Sequence, residues 1–460
     1  MGEYLQQIRG FQRDIRLFLL YNLFANVGFG VFQLIFNLYL TELRLREDDI
    51  GAFSAAQTLS MAAVSASLGM LFRRFGLWRC IFSGVILFLL SSYGLAFADH
   101  PTPLLFLSAT NGAGLAFMFT GTMPFIIEWV RRDQRQHVAA ISFSVISLST
   151  TMGALVGGFL PGLIPADDVG VFRWTLVAGS TIGALGLVPL LLMGAARSGR
   201  GPGDPTALRE AEGAEERRQV RRDVSVFVLI GGLMALGAGM VMPFYNVYLT
   251  TLGASSQEIG YIFALGGLCA ATVGLAAPAL SRRYGSLRAV PIVRLSVVPF
   301  YVMLIVSPSV GIAVLAHIAR QTSISMAWPI DSTFIADVLP PRARSSVYGL
   351  RSAAWNVGFS VASLIGGAII VNLGYDVTFA GLIVFSILSM ALFVGYYSRH
   401  PRIRGGEIPA ALPRSTRLAR ERAINAAPPV TPPSVIPVPP VSSAAATQTG
   451  PTTAPPRPRP

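Results

Sequence analysis

No lysine occurs anywhere in this chain, cysteine occurs twice, histidine four times, and only 13% of the 460 residues are charged. Each shortage excludes something. Two cysteines, Cys80 and Cys269, give no disulfide framework. Four scattered histidines without an H-E-x-x-H run supply neither a metal cluster nor a nucleophile beside a base, so neither an enzyme nor a cofactor is expected. A charged fraction well under the ~25% of soluble domains leaves too little polar surface for a fold bathed in water. The solvent is instead mostly lipid: 52% of the residues are hydrophobic and the mean hydropathy is +0.57.

Apolar runs of twenty or more residues recur at 17–41, 49–71, 79–98, 103–127, 138–163, 172–194, 224–250, 257–280, 288–307, 311–335, 347–372 and 375–397. As helices, each is long enough to cross a hydrocarbon core of ~30 Å. The expected fold is therefore an all-α polytopic membrane protein with twelve transmembrane helices. The first run is longer and more polar than a signal-peptide h-region, which suits a retained helix. A net charge of +13 raises the question of nucleic acid, but the arginines are sorted by side. With a cytoplasmic amino terminus, thirty fall in tails and inward loops, Arg44, Arg46 and Arg173 fall outside, and Arg294, Arg320 and Arg351 lie within spans. The positive-inside rule then places both termini in the cytoplasm and makes the charge a matter of topology, not of nucleic acid. The lack of lysine reads as a bias towards GC-rich codons and favours a bacterial inner membrane.

The chain is also written twice. Residues 37–79 laid on 246–288, an offset of 209, share 16 identities in 43 positions, among them Asn37/Asn246, Gly51/Gly260 and Arg73-Arg74/Arg282-Arg283. The same offset sets Glu128 on Asp337, Arg135 on Arg344 and Gly157-Gly158 on Gly366-Gly367. One copy per half indicates a duplicated unit, not a solenoid. The expected organisation is a cytoplasmic amino terminus (1–16), a six-helix bundle (17–195), a cytoplasmic linker (196–223), a second bundle (224–398) and a tail (399–460). The tail, rich in proline with Ala, Thr and Ser, cannot bury a core and is expected to be a disordered cytoplasmic segment; its basic part, 399–422, suits a solvated segment or contact with anionic lipid.

Twelve spans in a 6+6 duplication with a long central linker resemble the major facilitator superfamily, over about residues 10 to 398. The family's signature between helices 2 and 3 reads "GMLFRRFGLWR" here, with Gly69, Arg74, Gly76 and Arg79 in place. Its acid is missing: Arg73 stands there, and Arg282 does the same in "PALSRRYGSLR". A second pattern, an acid followed by six residues and an arginine, occurs at Glu128/Arg135 and Asp337/Arg344 and resembles the cytoplasmic gate of the sugar porter branch. The resemblance implies a gate of Arg73, Arg74, Arg79, Glu128, Arg135, Arg282, Arg283, Asp337, Arg344 and Arg351, in pairs worth only ~0–1 kcal/mol each and so easily remade; plain topological charge is the blander reading. On helix 5, "GALVGGFLPG" departs from the antiporter branch's motif, but Gly153 and Gly157, like Gly358, Ala362 and Gly366 on helix 11, make small-residue faces for close packing.

Polar residues inside spans are costly and so suspect. At 100° per residue, Asn22, Asn26, Gln33 and Asn37 share a 60° arc of helix 1, while His317, Arg320, Gln321, Trp328 and Asp331 share 100° of helix 10. Both stripes are expected to wall a substrate cavity, with Asn111, the repeat mate of Arg320, and more faintly Tyr245, Asn246 and Asn356. For Asn37 and Asn246 a structural interhelical hydrogen bond is the better reading. Asp331 lies 11 residues from Arg320, about 16 Å along one helix, so the two cannot pair; Arg351 is the expected partner. Asp331, then His317, are the candidates to carry a proton. The expected function is alternating-access transport of a small organic solute by a monomer, with proton-coupled multidrug-like efflux favoured over the alternative of sugar-like, proton-independent uptake. A receptor or structural membrane protein would not need a duplicated, gated cavity, and repeats with a polar midplane suit alternating access better than the remaining alternative, a channel.

Overall fold

The computed structural model describes residues 12–130, 134–193 and 214–405, with the side chains of 127–128, 135–137, 140, 214–216, 341–342 and 344–346 excepted. The amino-terminal 1–11, most of the linker and the tail beyond 405 lie outside the described residues. Among the described residues all regular structure is helical. The first half comprises α1 (Arg13–Glu42), α2 (Glu47–Phe75), α3 (Leu77–Phe97), α4 (Pro101–Trp129), α5 (Arg135–Phe159) and α6 (Asp168–Leu192). The second comprises α7 (Arg217–Thr251), α8 (Ser256–Gly274 and Ala277–Tyr284, bent by 48°), α9 (Ser286–Val306), α10 (Val310–Val338), α11 (Pro341–Leu373) and α12 (Tyr375–Tyr397). A single further turn, α13 (Pro401–Arg404), follows.

Ten of these helices are long and apolar enough to cross a membrane, or eleven with the bent α8. The remaining one is α10, whose 29 residues exceed the length needed but whose His317, Arg320, Gln321, Asp331 and Asp337 lower its apolarity. The helix that fails the lipid test is thus the one with the longest polar stripe.

Local chemistry repeats with the sequence. The helices α1 and α7 both end in a Schellman pair, in which Leu45 and Ala254 donate to Leu40 and Leu249 while Arg44 and Gly253 donate to Thr41 and Thr250. The residue in the left-handed conformation is Arg44 (φ 59°) in one copy and Gly253 (φ 89°) in the other. Reversals into α3 and α9 turn on Gly76 (φ 83°) and Gly285 (φ 77°), which only glycine occupies without strain. The start of α8 is fixed by a capping box: Ser255 Oγ accepts from the Glu258 amide at 3.3 Å, and the Glu258 carboxylate accepts from the Ser255 amide at 2.8 Å.

The halves meet through mirrored contacts. Asn37 Nδ2 donates to the carbonyl of Pro243, and Asn246 Nδ2 donates to that of Leu34 at 2.7 Å, and these pairs are each other's repeat equivalents. A methyl on Gly51 would overlap the Ser363 carbonyl of α11, and one on Gly260 would stand 3.1 Å from the Ala154 carbonyl of α5, again the equivalent contact. In each Gly-Gly pair the first glycine packs within its own half, Gly157 on α1 and Gly366 on α7. The second packs on the other half, Gly158 on Gly260 and Gly367 on Glu47 and Asp48. Ser360 Oγ to the Ala55 carbonyl (3.2 Å) and Tyr375 OH to Glu47 (3.0 Å) add to the seam. Everything in it sits towards the arginine-poor end of the spans.

Hydrophobic packing draws the same distinction. One buried cluster contains residues of both halves, with Leu34, Ile35, Tyr39 and Phe53 packed in the same core as Met240, Phe244, Tyr245 and Ala362. The other clusters among the described residues each stay within one half, around Phe18, Ile81 and Phe125, around Ile15 and Ile126, or around Phe227, Phe334 and Tyr397. Along the α2/α11 seam, the glycines near the arginine-poor end have no room for a methyl. Gly69 and Gly349, near the arginine-rich end, have nothing within 4 Å. The two helices therefore splay, and Met70 and Leu350 stand exposed where they part.

Candidate functional site

The polar stripes do not converge on one point. On α1, Asn22 and Asn26 are buried and donate to carbonyls one turn back, Phe18 at 3.0 Å and Asn22 at 2.8 Å, and the buried Asn26 Oδ1 has no partner among the described residues. Gln33 is exposed, and Asn37 is taken by the seam. Asn111, expected on the cavity wall, is wholly buried. Its Oδ1 accepts from Gln57 Nε2 at 2.8 Å and its Nδ2 donates to Ser91 and Ser92 at 3.1 and 3.0 Å. That knot ties α2, α3 and α4 and saturates the amide. Gln57 passed unnoticed in the sequence, and only its position 54 residues upstream on a neighbouring helix brings it in.

On α10 the arginine and histidine act together. Arg320 Nη2 donates to His317 Nδ1 at 3.2 Å, and its guanidinium lies 5.2 Å from the centre of the Tyr245 ring. Since a guanidinium can only donate, Nδ1 must accept, and the imidazole proton resides on Nε2. Tyr245 in turn donates to the Ala313 carbonyl at 2.6 Å, fixing its ring under the cation. Among the described residues Arg320 forms no ion pair, and Arg320 Nε and His317 Nε2 are buried without partners. Gln321 is half-buried against Gly266, and Trp328, on the same stripe, is 68% exposed.

Asp331 takes the opposite course. Its Oδ2 accepts from Arg351 of α11 at 2.9 Å, the expected pair, and also from Arg294 of α9 at 2.9 Å. One buried carboxylate thus ties three helices together inside the second half, with a guanidinium in excess. Arg351 runs along Gly231 of α7, where a methyl would stand 2.8 Å from its Cγ. Asn356 is buried on α11 just before the seam opens. The contribution of Arg294 was hidden because 37 residues and a helix reversal separate it from Asp331.

These features occur in a duplicated helical frame whose relatives can be identified. A family model described as the Major Facilitator Superfamily matches residues 18–320 and 321–436. The chain belongs to the Major Facilitator Superfamily. Among characterised proteins it is 28% identical over 137 residues to the quinolone resistance protein NorA of Staphylococcus aureus, 29% of this chain and 35% of NorA. It is 26% identical over 146 residues to the MFS-type transporter poxA of Penicillium oxalicum, 31% and 24% of the two chains. The matched stretches thus span about a third and a quarter of those relatives. In solved structures the fold is that of the nucleoside transporter NupG (TM-score 0.68, 13% identity, covering 84% of this chain and 99% of that one). It is also that of a D-xylose-proton symporter (TM-score 0.64, 15% identity, 82% and 97%). At such identities the likeness to solved structures establishes the fold alone; the family match makes the chain a multi-pass membrane protein of the superfamily's transporter type and names no substrate.

In this superfamily member the arginines of the signature loop and its repeat, including Arg73 and Arg282 at the position of the missing acid, are solvent-exposed. Arg73, Arg74, Arg79, Arg282 and Arg283 are exposed, with Arg74 over Phe75 and Arg283 over Tyr284 at the same 5.4 Å, another repeat-related pair. Of the other expected gate residues, the Glu128, Arg135 and Arg344 side chains lie outside the described residues, Asp337 is half-buried, and Arg351 is committed to Asp331.

Proposed function

We propose that this transporter carries a small organic solute by alternating access, exporting it in exchange for protons, with the arginine-rich end and both termini in the cytoplasm. The observation that carries the reading is the contrast between the ends. A merged core and reciprocal hydrogen bonds shut the frame at the arginine-poor end, and separate cores and splayed helices open it at the other. With arginines inside, this is the inward-open state, and α10 completes the count of twelve crossings. Repeats that rock about a polar midplane suit a carrier.

The solute enters from the cytoplasm and meets Asn22, Asn26 and Gln33 on one side and His317, Arg320, Gln321, Trp328 and Asn356 on the other; Asn111 shapes the wall through Gln57. With no acidic partner among the described residues, Arg320 faces an anionic or carbonyl-bearing group of the solute. Glu128 and Asp337 close the cytoplasmic mouth against its arginines as the splayed helices come together. That closing moves α11 and with it Arg351, loosening the clamp on Asp331 so that its carboxylate accepts a proton. His317, whose Nδ1 already accepts from Arg320, is the second candidate. Export is supported by the likeness to NorA, named for quinolone resistance.

The test is flux in proteoliposomes, with and without an imposed proton gradient, screening a fluoroquinolone, a nucleoside and D-xylose. Gradient-driven flux should vanish in Asp331→Asn while counterflow exchange survives. Gradient-driven flux that persists in the variant overturns the coupling, and no flux of any solute in the parent removes the carrier reading for these classes.

A further inference from the structure

Away from the transport path, where α7 enters and α12 leaves at the arginine-rich end, two adjoining grooves of about 390 and 410 Å³ are cut into the surface. Arg218, Arg221, Arg222 and Ser225 line the α7 side, Arg399 the α12 side, and Tyr396 is shared by both grooves. Among the described side chains, the acid beside these arginines in sequence, Asp223, is turned inward. Asp223 is 1% exposed; its Oδ1 accepts from Tyr396 OH at 2.8 Å and Gln219 Nε2 at 3.1 Å, and its Oδ2 lies 3.3 Å from His400 Nε2. The four arginines consequently form no ion pair among the described residues, although they sit within one cleft.

Each wall continues into apolar surface. At helical spacing Arg218, Arg222 and Ser225 lead to Leu229, 53% exposed, and Arg399 is reached along α12 from the exposed Ile387, Leu388 and Val394. A positive cleft at the end of two lipid-facing stripes matches a molecule with an anionic head and apolar tails. Beyond Gly405 the sequence carries six arginines against two glutamates, a net charge of the same sign as the cleft and not the opposite sign that a ligand for it needs. We propose that this cleft is a binding site for the headgroup of an anionic phospholipid, whose phosphate takes forked hydrogen bonds from the α7 arginines and Arg399 while its acyl chains lie along Leu229 and Leu388. The proposal is independent of the transport reading.

Native mass spectrometry of the full-length protein in mild detergent, titrated with phosphatidylglycerol, phosphatidylcholine or inorganic phosphate, tests it. Phosphatidylglycerol should bind in preference to phosphatidylcholine, millimolar phosphate should not compete, and the triple change Arg218→Gln, Arg221→Gln, Arg222→Gln should weaken binding about tenfold or more. Arg16→Gln with Arg288→Gln, which removes exposed arginines outside the cleft, should leave it unchanged. Should the triple variant be poorly folded, Arg399→Gln on the other wall should still weaken binding about fivefold. Undiminished binding in the triple variant or, where that is poorly folded, in Arg399→Gln would overturn the site. Equal loss in the control pair would reduce it to general surface charge, and competition by phosphate would make it a free-anion site, so either result also refutes the lipid.

Discussion

At Arg44 the backbone adopts a left-handed conformation that costs a side-chain-bearing residue about 1–2 kcal/mol, and its repeat mate Gly253 adopts the same conformation without that strain. The Schellman bonds around both are alike, so the difference lies in the side chain alone. Arg44→Gly should therefore raise stability by about 0.5–1 kcal/mol after the added freedom of the unfolded chain is subtracted, and Gly253→Arg should lower it by a similar amount. Thermal unfolding in detergent checks both, and an unchanged midpoint in each would show that the turn is not strained. Single residues were unevenly legible in the sequence. The partner of Asp331 could be named as Arg351 because topology brings both to one end of adjacent helices. Arg294 could not, since its meeting with Asp331 depends on how α9 packs on α10. Arg320 was legible as an unpaired cation, but its seat on Tyr245 needed the rotation of α7, which no pattern of α10 records.

Helices carry the duplication as repeated contacts more faithfully than as repeated residues. Asn37 and Asn246 kept their identity and their reciprocal bond, and could be read beforehand as structural because amides near helix ends in lipid seek a carbonyl. Gly157-Gly158 and Gly366-Gly367 were legible as close-packing faces, whereas the division of labour within each pair, one glycine to its own half and one to the other, follows only from the arrangement of six neighbouring helices. This gives a paired prediction along the α2/α11 seam. Gly367→Ala forces a methyl against the Glu47 carbonyl and should destabilise the chain by about 1–3 kcal/mol. Gly69→Ala meets open space and should leave stability within about 0.5 kcal/mol. In the proposed cycle, however, α2 and α11 must close where Gly69 lies, so Gly69→Ala should slow transport several-fold with its melting temperature intact. Unimpaired flux in that variant would mean that the seam does not close there.

For the whole molecule, the offset of 209 residues disclosed two equivalent halves and the arginine pattern disclosed two unequal ends, but which end stands open is a property of packing. The merged core at one end and the separate cores at the other supply that information. The central claim is that the halves rock as units, so that opening one end closes the other. Two spin-label pairs report on it in lipid nanodiscs: Met70 with Tyr348 at the arginine-rich ends of α2 and α11, and Leu163 with Leu373 at the opposite end, all exposed positions. Gly51→Trp combined with Gly260→Trp wedges both seams apart at the arginine-poor end, where neither glycine tolerates even a methyl without a shift. Measured by double electron–electron resonance, the wedge should lengthen the 163–373 distance and shorten the 70–348 distance in the same molecules. A 163–373 distance that grows while 70–348 stays fixed or grows with it would contradict the account.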